Sequence, residues 1–263
     1  MGALPGGSIL SEPGAAGISE DFDVEAFRRA GRKVVLREVE RPMVVLGSTQ
    51  RAAAVNAVRA AREGVSIARR RSGGGAVLLL PGAQVWADLW VPSGDPLWSV
   101  EPHEIAVMAG EWWARALRPA SGAAARAADD LRVHRGASIP TPYSKAVCFG
   151  GIGPGEVAWG GRKLVGLAQW RSREGALVHG CAYRRWDPQP LVDILDLPQT
   201  TRAAVLRWMR GAAVGYEDDG GRFWGGQDPG KELVDALPDP ASWEVVTPTP
   251  AAGATGVSGA PTA

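Results

Sequence analysis

Apolar and polar positions along this chain change period often enough to predict a mixed architecture. Val34–Glu38 and Met43–Leu46 are short aliphatic runs on either side of Arg41-Pro42 and predict two strands. Gln50–Glu63 has a helical pattern, with Val55 and Val58 on an alanine-rich face, Gly47-Ser48-Thr49 as its cap and Gly64 as its stop. Val65–Arg70 and Gly75–Leu80 predict strands joined through three glycines, and Pro81-Gly82 turns the chain into a further strand, Val85–Val91. Pro102–Leu117 is the longest helical pattern, with Ile105, Met108, Trp112 and Leu117 on its apolar stripe. Beyond Leu131, Ala146–Phe149, Glu156–Trp159, Lys163–Arg171 and Ala176–Tyr183 predict successive strands separated by Gly/Pro turns, followed by helices at Gln189–Leu195, Thr201–Met209 and Lys231–Leu237. Asp21–Arg32 predicts a short helix between Ser19 and Gly31, and Ala120–Ala128 a loop or frayed helix.

Strand clusters interrupted by a few helices predict an α+β fold, with helices packed on a mixed, largely antiparallel β-sheet. No internal repeat divides the chain. A single domain is expected over residues 19–247, flanked by Gly/Ala/Pro-rich disordered tails at 1–18 and 248–263. A formal net charge of +1 gives no global basic field for nucleic acid. Two cysteines and three histidines form neither a disulfide framework nor a metal-ligand spacing, so no metal site is expected. No run approaches the ~20 apolar residues of a membrane span, and the N-terminus lacks a signal-peptide layout. The default expectation is therefore cytoplasmic, with no membrane partner.

Candidate chemistry concentrates in three stretches. In Arg70-Arg71-Ser72-Gly73-Gly74-Gly75-Ala76-Val77, three consecutive glycines remove every Cβ, so that a ligand can lie against the backbone. The arginines at the lip supply forked donors for carboxylate or phosphate. A flexible hairpin with solvated arginines would look the same. In Gly161-Arg162-Lys163-Leu164-Val165-Gly166, Lys163 follows a tight turn at the start of an apolar strand, where it is either a point charge for a carbonyl or phosphate oxygen or a surface turn lysine. Cys148 ends an apolar run before a glycine-rich loop, the place for an exposed thiol, although an inert core cysteine is the alternative. His179, followed by Gly180, sits within the last strand pattern.

The Arg-Arg-Ser-Gly-Gly-Gly-Ala-Val run, the Gly-Arg-Lys-Leu-Val-Gly run and His179-Gly180, in this order and spacing, resemble the lipoate–protein ligase family of the wider biotin/lipoate ligase and octanoyltransferase superfamily. The resemblance spans roughly Arg41 to Leu197. It implies the biotin/lipoate ligase catalytic-domain fold. It also implies an activity: attaching a lipoyl or octanoyl group in amide linkage to a lysine of a lipoyl-carrier domain, either a 2-oxoacid dehydrogenase E2 or a glycine-cleavage H protein. Arg70, Arg71, Ser72, Gly73, Gly74, Gly75, Ala76, Val77, Gly166, His179 and Gly180 would bind the acyl or adenylate group, and Lys163 and Cys148 would be catalytic.

Two branches of that family differ in donor. The ligase branch forms an acyl-adenylate from ATP and Mg²⁺, with Lys163 matching the lysine that grips it. The transferase branch takes octanoyl from an acyl carrier protein onto a cysteine and needs no permanently bound cofactor. Cys148, fifteen residues before Lys163, matches that nucleophile, and the transferase reading is favoured. Ligases continue the glycine loop with an aromatic residue, His and an acidic residue, where this chain has Leu78-Leu79-Leu80. Their Asn-Asp-Leu is Asp129-Asp130-Leu131 here, placing a second carboxylate near a phosphate. These departures weaken the ATP-dependent reading most, and they keep open a non-catalytic binder of fatty acid, lipoate or nucleotide. An apolar tunnel for the acyl chain is expected from Val77, Leu79, Trp86 and Leu167.

Overall fold

The computed structural model describes residues 31–118, 130–218, 223–226 and 228–247. Both predicted tails, the Ala120–Ala128 stretch and the Asp21–Arg32 helix up to residue 30 lie outside the described residues; Arg32 itself opens the first strand.

Two sheets form the framework. The larger has seven strands in the order β10-β1-β5-β9-β8-β7-β6. Its members are β1 (Arg32–Arg37), β5 (Gln84–Pro92), β6 (Leu131–Val133), β7 (Val157–Trp159), β8 (Arg162–Arg171), β9 (Gly175–Tyr183) and β10 (Trp243–Val246). Only the β1–β10 pairing is parallel. The smaller sheet has the order β3-β2-β4, with β2 at Met43–Leu46, β3 at Ser66–Arg69 and β4 at Val77–Leu79. The expected α+β class with a mixed, largely antiparallel sheet is the observed one.

Alternation along the central strands assigns the two faces. On β5, Ala87, Leu89 and Val91 join the core under helix α2 (Pro102–Leu117), while Trp86 joins the core shared with the small sheet. On β9, Val178 and Ala182 lie with α2, and Cys181 and Tyr183 lie on the opposite face. Each layer is thus one face of a single central sheet. Trp112 and Trp113 are fully buried, and Trp113 is the reason for a glycine at position 180: a Cβ there would stand 2.2 Å from its Nε1. α2 also touches the loop before β7 through two glycines. A Cβ on Gly110 would stand 1.8 Å from the Gly155 carbonyl oxygen, and Gly155 itself has a φ of +81°.

Local competition explains where the elements differ from expectation. The helix predicted over Gln50–Glu63 is reduced to α1 (Ala57–Arg62), because Val55 bridges to Leu195 and the Asn56 side chain caps the Arg59 N–H at 3.0 Å. The strand predicted over Ala146–Phe149 pairs only at Val147, with Ala76; Cys148–Gly150 is a 3₁₀ turn closed by the Gly150 N–H on the Val147 carbonyl. The C-terminal helices are α3 (Gln189–Ile194), α4 (Gln199–Ala212) and α5 (Pro229–Asp235). β10 was not foreseen, since a four-residue run carries little periodic signal and exists through its pairing with β1. No helix among the described residues is long and apolar enough to cross a membrane.

Gly180→Ala should cost about 1–3 kcal/mol of unfolding free energy in urea melts, through overpacking against Trp113. A melt matching the parent would mean that this contact gives way freely.

Candidate active site

β3 delivers the chain to the glycine elbow. The Arg70 N–H bonds the Leu46 carbonyl at 2.9 Å, and the Ser48 N–H bonds the Ser72 carbonyl at 3.0 Å. Arg70 is not at the lip, as the sequence suggested, but buried beneath it. Its guanidinium donates to the carbonyls of Val45 at 3.2 Å, Gly73 at 2.7 Å and Gly75 at 2.9 Å. Burial lowers its pKa, although a guanidinium stays charged at neutral pH. Arg71 is the exposed one, its guanidinium 5.5 Å from the Trp170 ring centre. Arg69 donates to the Gly47 carbonyl at 2.9 Å and to the Gln50 carbonyl, closing the loop after β2.

The glycines serve different contacts. Gly73 faces open space, whereas Gly74 has a φ of +96° and rests on the Arg70 guanidinium. A Cβ on Gly75 would lie 2.6 Å from the Cys148 nitrogen, so this glycine lets the thiol-bearing turn seat directly on the elbow. Ala76 completes that seat: its carbonyl accepts the Cys148 N–H at 3.0 Å, and its own N–H donates to the Ala146 carbonyl at 2.9 Å. Val77 turns its side chain into the small-sheet core. Two polar atoms at the elbow, Ser72 Oγ and Arg70 Nε, are buried with no hydrogen-bond partner among the described residues. Native structures rarely leave buried polar groups unpaired, and ligand-binding positions are among the exceptions.

Lys163 reaches the same turn from β8. Its Nζ donates to the Cys148 carbonyl at 2.8 Å and lies 2.7 Å from Glu156 Oε2, with both side chains buried. It also sits 5.3 Å from the Phe149 ring centre. Glu156 was not singled out in the sequence, where an acidic residue beside a strand carries no distinguishing signal. Its carboxylate gathers three donors: Lys163, the Gly153 N–H at 2.7 Å and the Leu167 N–H at 3.1 Å. Desolvation nevertheless raises its pKa, opposed by Lys163 and the two backbone donors. Cys148 is half-buried, whereas Cys181, wholly buried, has its thiol pushed far above the ordinary range by desolvation.

The remaining predicted residues separate. Gly166 lies opposite Cys181, with the Phe149 ring over its Cα face, where a Cβ would be 3.1 Å from the ring. Gly180 faces Trp113 on the α2 side and is a packing position. His179 is buried on the site-facing side of β9, with Nδ1 2.5 Å from Asp88 Oδ1. Trp86 Nε1 donates to the same oxygen at 2.9 Å, and Arg37 pairs with Asp88 Oδ2. Burial alone would raise the Asp88 pKa, but His179 and Arg37 hold it below the usual carboxylate value. The expected tunnel is not formed as drawn. Val77 and Leu79 pack inside the small sheet, and Leu167 instead lines a cavity of about 430 Å³ with Glu156, Gln169 and Pro154. No cluster of three His, Cys, Asp or Glu capable of holding a metal occurs among the described residues.

Two outcomes are expected. Glu156→Gln strands the buried Lys163 ammonium and should lower stability by about 3–5 kcal/mol, read from urea melts. Unchanged stability would mean that the pair is not closed in solution. Asp88→Asn should also be destabilising at pH 7. Because folding lowers the Asp88 pKa, the stability it contributes is present above about pH 4 and is lost as pH falls through the lower folded value. The gap between Asp88→Asn and the parent should therefore narrow in melts at progressively more acid pH; a constant gap would contradict the linkage.

With this geometry in place, comparisons with known proteins identify the family. The Lipoyl protein ligase A/B catalytic domain model matches residues 21–207. A bi-partite lipoate protein ligase from Thermoplasma acidophilum, described with its E2 lipoyl domain, is 17% identical, with 86% of this chain and 80% of that one covered and a TM-score of 0.60. A Thermoplasma acidophilum protein with bound lipoic acid is 18% identical over 84% of this chain and 78% of its own, TM-score 0.59. A lipoate-protein ligase A bound with ATP is 18% identical over 85% and 78%, TM-score 0.58. No curated protein matches the chain. At these identities the solved structures speak for the fold, and the family model, which spans well over half of the sequence, speaks for kinship: the chain belongs to the lipoyl protein ligase A/B catalytic-domain family.

Proposed function

We propose that this protein carries out protein lipoylation chemistry by moving an octanoyl or lipoyl group through a thioester on Cys148 to a lysine of a lipoyl-carrier domain. The observation that carries this reading is the seating of a half-buried Cys148 on the glycine elbow, with the Lys163 ammonium on its own carbonyl. In the first half-reaction the Cys148 thiolate attacks the carbonyl of a carrier-protein thioester. The new C–S bond forms as the old one breaks, and the donor leaves as a thiolate that takes up the proton lost by Cys148. In the second, the amine of the acceptor lysine attacks the acyl-cysteine; the amide forms, and the departing thiolate recovers the proton that the amine loses. Lys163, donating to the Cys148 carbonyl, places an ammonium beside the reacting turn. The unpaired Ser72 Oγ is the donor assigned to the acyl carbonyl oxygen, where charge develops.

Adenylation from ATP with Mg²⁺ is the competing route, and an ATP-bound lipoate-protein ligase A shares the fold. Two features favour the thioester. Arg70 spends both terminal nitrogens on three carbonyls, which leaves only its Nε, and the Lys163 charge is met by Glu156. The leucines after the elbow also supply no polar group: Leu78 and Leu79 are buried in the small-sheet core.

Intact-mass measurement after mixing with octanoyl-carrier protein decides between them. The expected result is one octanoyl adduct, lost in Cys148→Ser and kept in Cys181→Ser, because burial holds the Cys181 thiol protonated. If no adduct forms while Cys148→Ser acylates an apo lipoyl domain given octanoate, ATP and Mg²⁺, the thioester route is wrong.

A further inference from the structure

Helix α4 presents a cationic face that acyl transfer itself does not use. Its fourteen residues include Arg202, Arg207 and Arg210 and no acidic residue, in a chain whose formal charge is only +1. Val205 and Met209 point inward to the core, leaving Arg207, Trp208 and Arg210 exposed. Arg202 is turned back onto the Leu197 carbonyl at 3.0 Å, and among the described residues Arg210 reaches Gln189 alone, at 3.5 Å. Arg207 has no ion-pair partner among the described residues. The acids nearby are engaged elsewhere, Asp193 of α3 by Gln189 and Asp196, just past α3, by Arg59 at 3.7 Å. Trp208 is 36% exposed, and its indole lies against the Tyr143 ring in a tilted arrangement, ring centres 5.4 Å apart. Tyr143 leads to exposed Lys145, and its carbonyl receives the N–H of Val147, the residue before Cys148, at 3.0 Å.

We infer that the Arg207–Trp208–Arg210 face, with Lys145, docks the acyl donor: a small acidic carrier protein presenting its acyl group as a thioester on a long flexible arm. This rests on the thioester reading of Cys148. An exposed indole held against a neighbouring ring is the kind of anchor that dominates small interfaces. Unpaired arginines around it attract an acidic partner and speed its encounter. The face connects to the Cys148 turn through Tyr143, whose ring meets Trp208 and whose carbonyl holds the Val147 N–H. A donor with a long arm fits that placement. An acceptor whose own lysine must touch the acyl-cysteine needs the mouth of the site itself.

Arg207→Glu/Arg210→Glu and, separately, Trp208→Ala test it by titration of fluorescently labelled octanoyl-carrier protein. Both variants should bind at least tenfold more weakly, and parent binding should weaken steeply between low and moderate salt. Acylation of Cys148 by octanoyl-coenzyme A, a donor without a carrier protein, should be unchanged in both. Unaltered carrier binding overturns the inference, as does loss of apo lipoyl domain binding in place of carrier binding. Equal losses with the small thioester would also overturn it, because α4 would then act through the fold. Failure of the thioester reading is visible separately, as absence of any acyl-enzyme in the parent, whereas the binding titration reads the surface whether or not turnover occurs.

Discussion

The buried guanidinium of Arg70 is the interaction on which the rest of the site depends. It ties the Val45 carbonyl of the small sheet to the Gly73 and Gly75 carbonyls of the elbow, so that a segment of three glycines acquires a single shape. Glycine is the residue least inclined to hold one conformation, and a planar fork with fixed donors is well suited to impose it. Everything that abuts the elbow inherits that order. A Cβ on Gly47 would stand 2.0 Å from the Gly74 carbonyl oxygen, and Gly75 admits the Cys148 turn at backbone distance. The loop after β2, the elbow and the Cys148 turn are therefore brought together through backbone contacts that side chains would prevent.

Buried charge is the second organising feature. Glu156, just before β7, meets Lys163 at the start of β8; Asp88, His179 and Arg37 meet on the central strands. Desolvation of such groups is costly, and hydrophobic replacements often match or exceed them in stability. Their value here is positional. Glu156 takes backbone N–H groups from Gly153 and Leu167 while holding the ammonium that reaches the Cys148 carbonyl, so one carboxylate links the glycine-rich loop, β8 and the thiol-bearing turn. The opposed pKa directions follow from the surroundings. Asp88 is met by both His179 and Arg37 and falls, whereas at Glu156 desolvation outweighs Lys163 and the pKa rises.

The apolar framework holds these polar clusters in place. Trp112 and Trp113 of α2 fill one face of the central sheet, and on the other Phe149 stacks on Trp186 with ring centres 5.0 Å apart. Phe149 follows Cys148 directly, so the same residue that anchors the turn in the core presents its neighbour at the surface of the site. Catalytic groups carried on a short turn gain precision when the adjacent side chain is locked by packing.

Much of this was legible in the sequence. The apolar runs of β8 and β9 and the 3.6-period stripe of α2 appear at the observed places, because β9 is buried along its whole length, β8 over its first half, and α2 along one face, and each leaves its mark on the chain. The family was legible from three ordered motifs, since glycine and charge at fixed offsets are hard to satisfy otherwise. What the chain alone did not decide was which way its polar groups face. Arg70 and Arg71 are adjacent and identical in kind, yet one is buried under the elbow and the other lies on Trp170, a difference set by the carbonyls that β2 happens to offer. Gly180 reads as part of a binding motif, and the structure adds that it admits an indole from α2. Glu156, Asp88 and Arg37 gave no local signal, because their roles come from partners 7, 91 and 51 residues away in sequence. Local periodicity is written in neighbouring residues and survives in the sequence; the pairing of buried charges is a property of strands brought side by side, and only the tertiary structure supplies it.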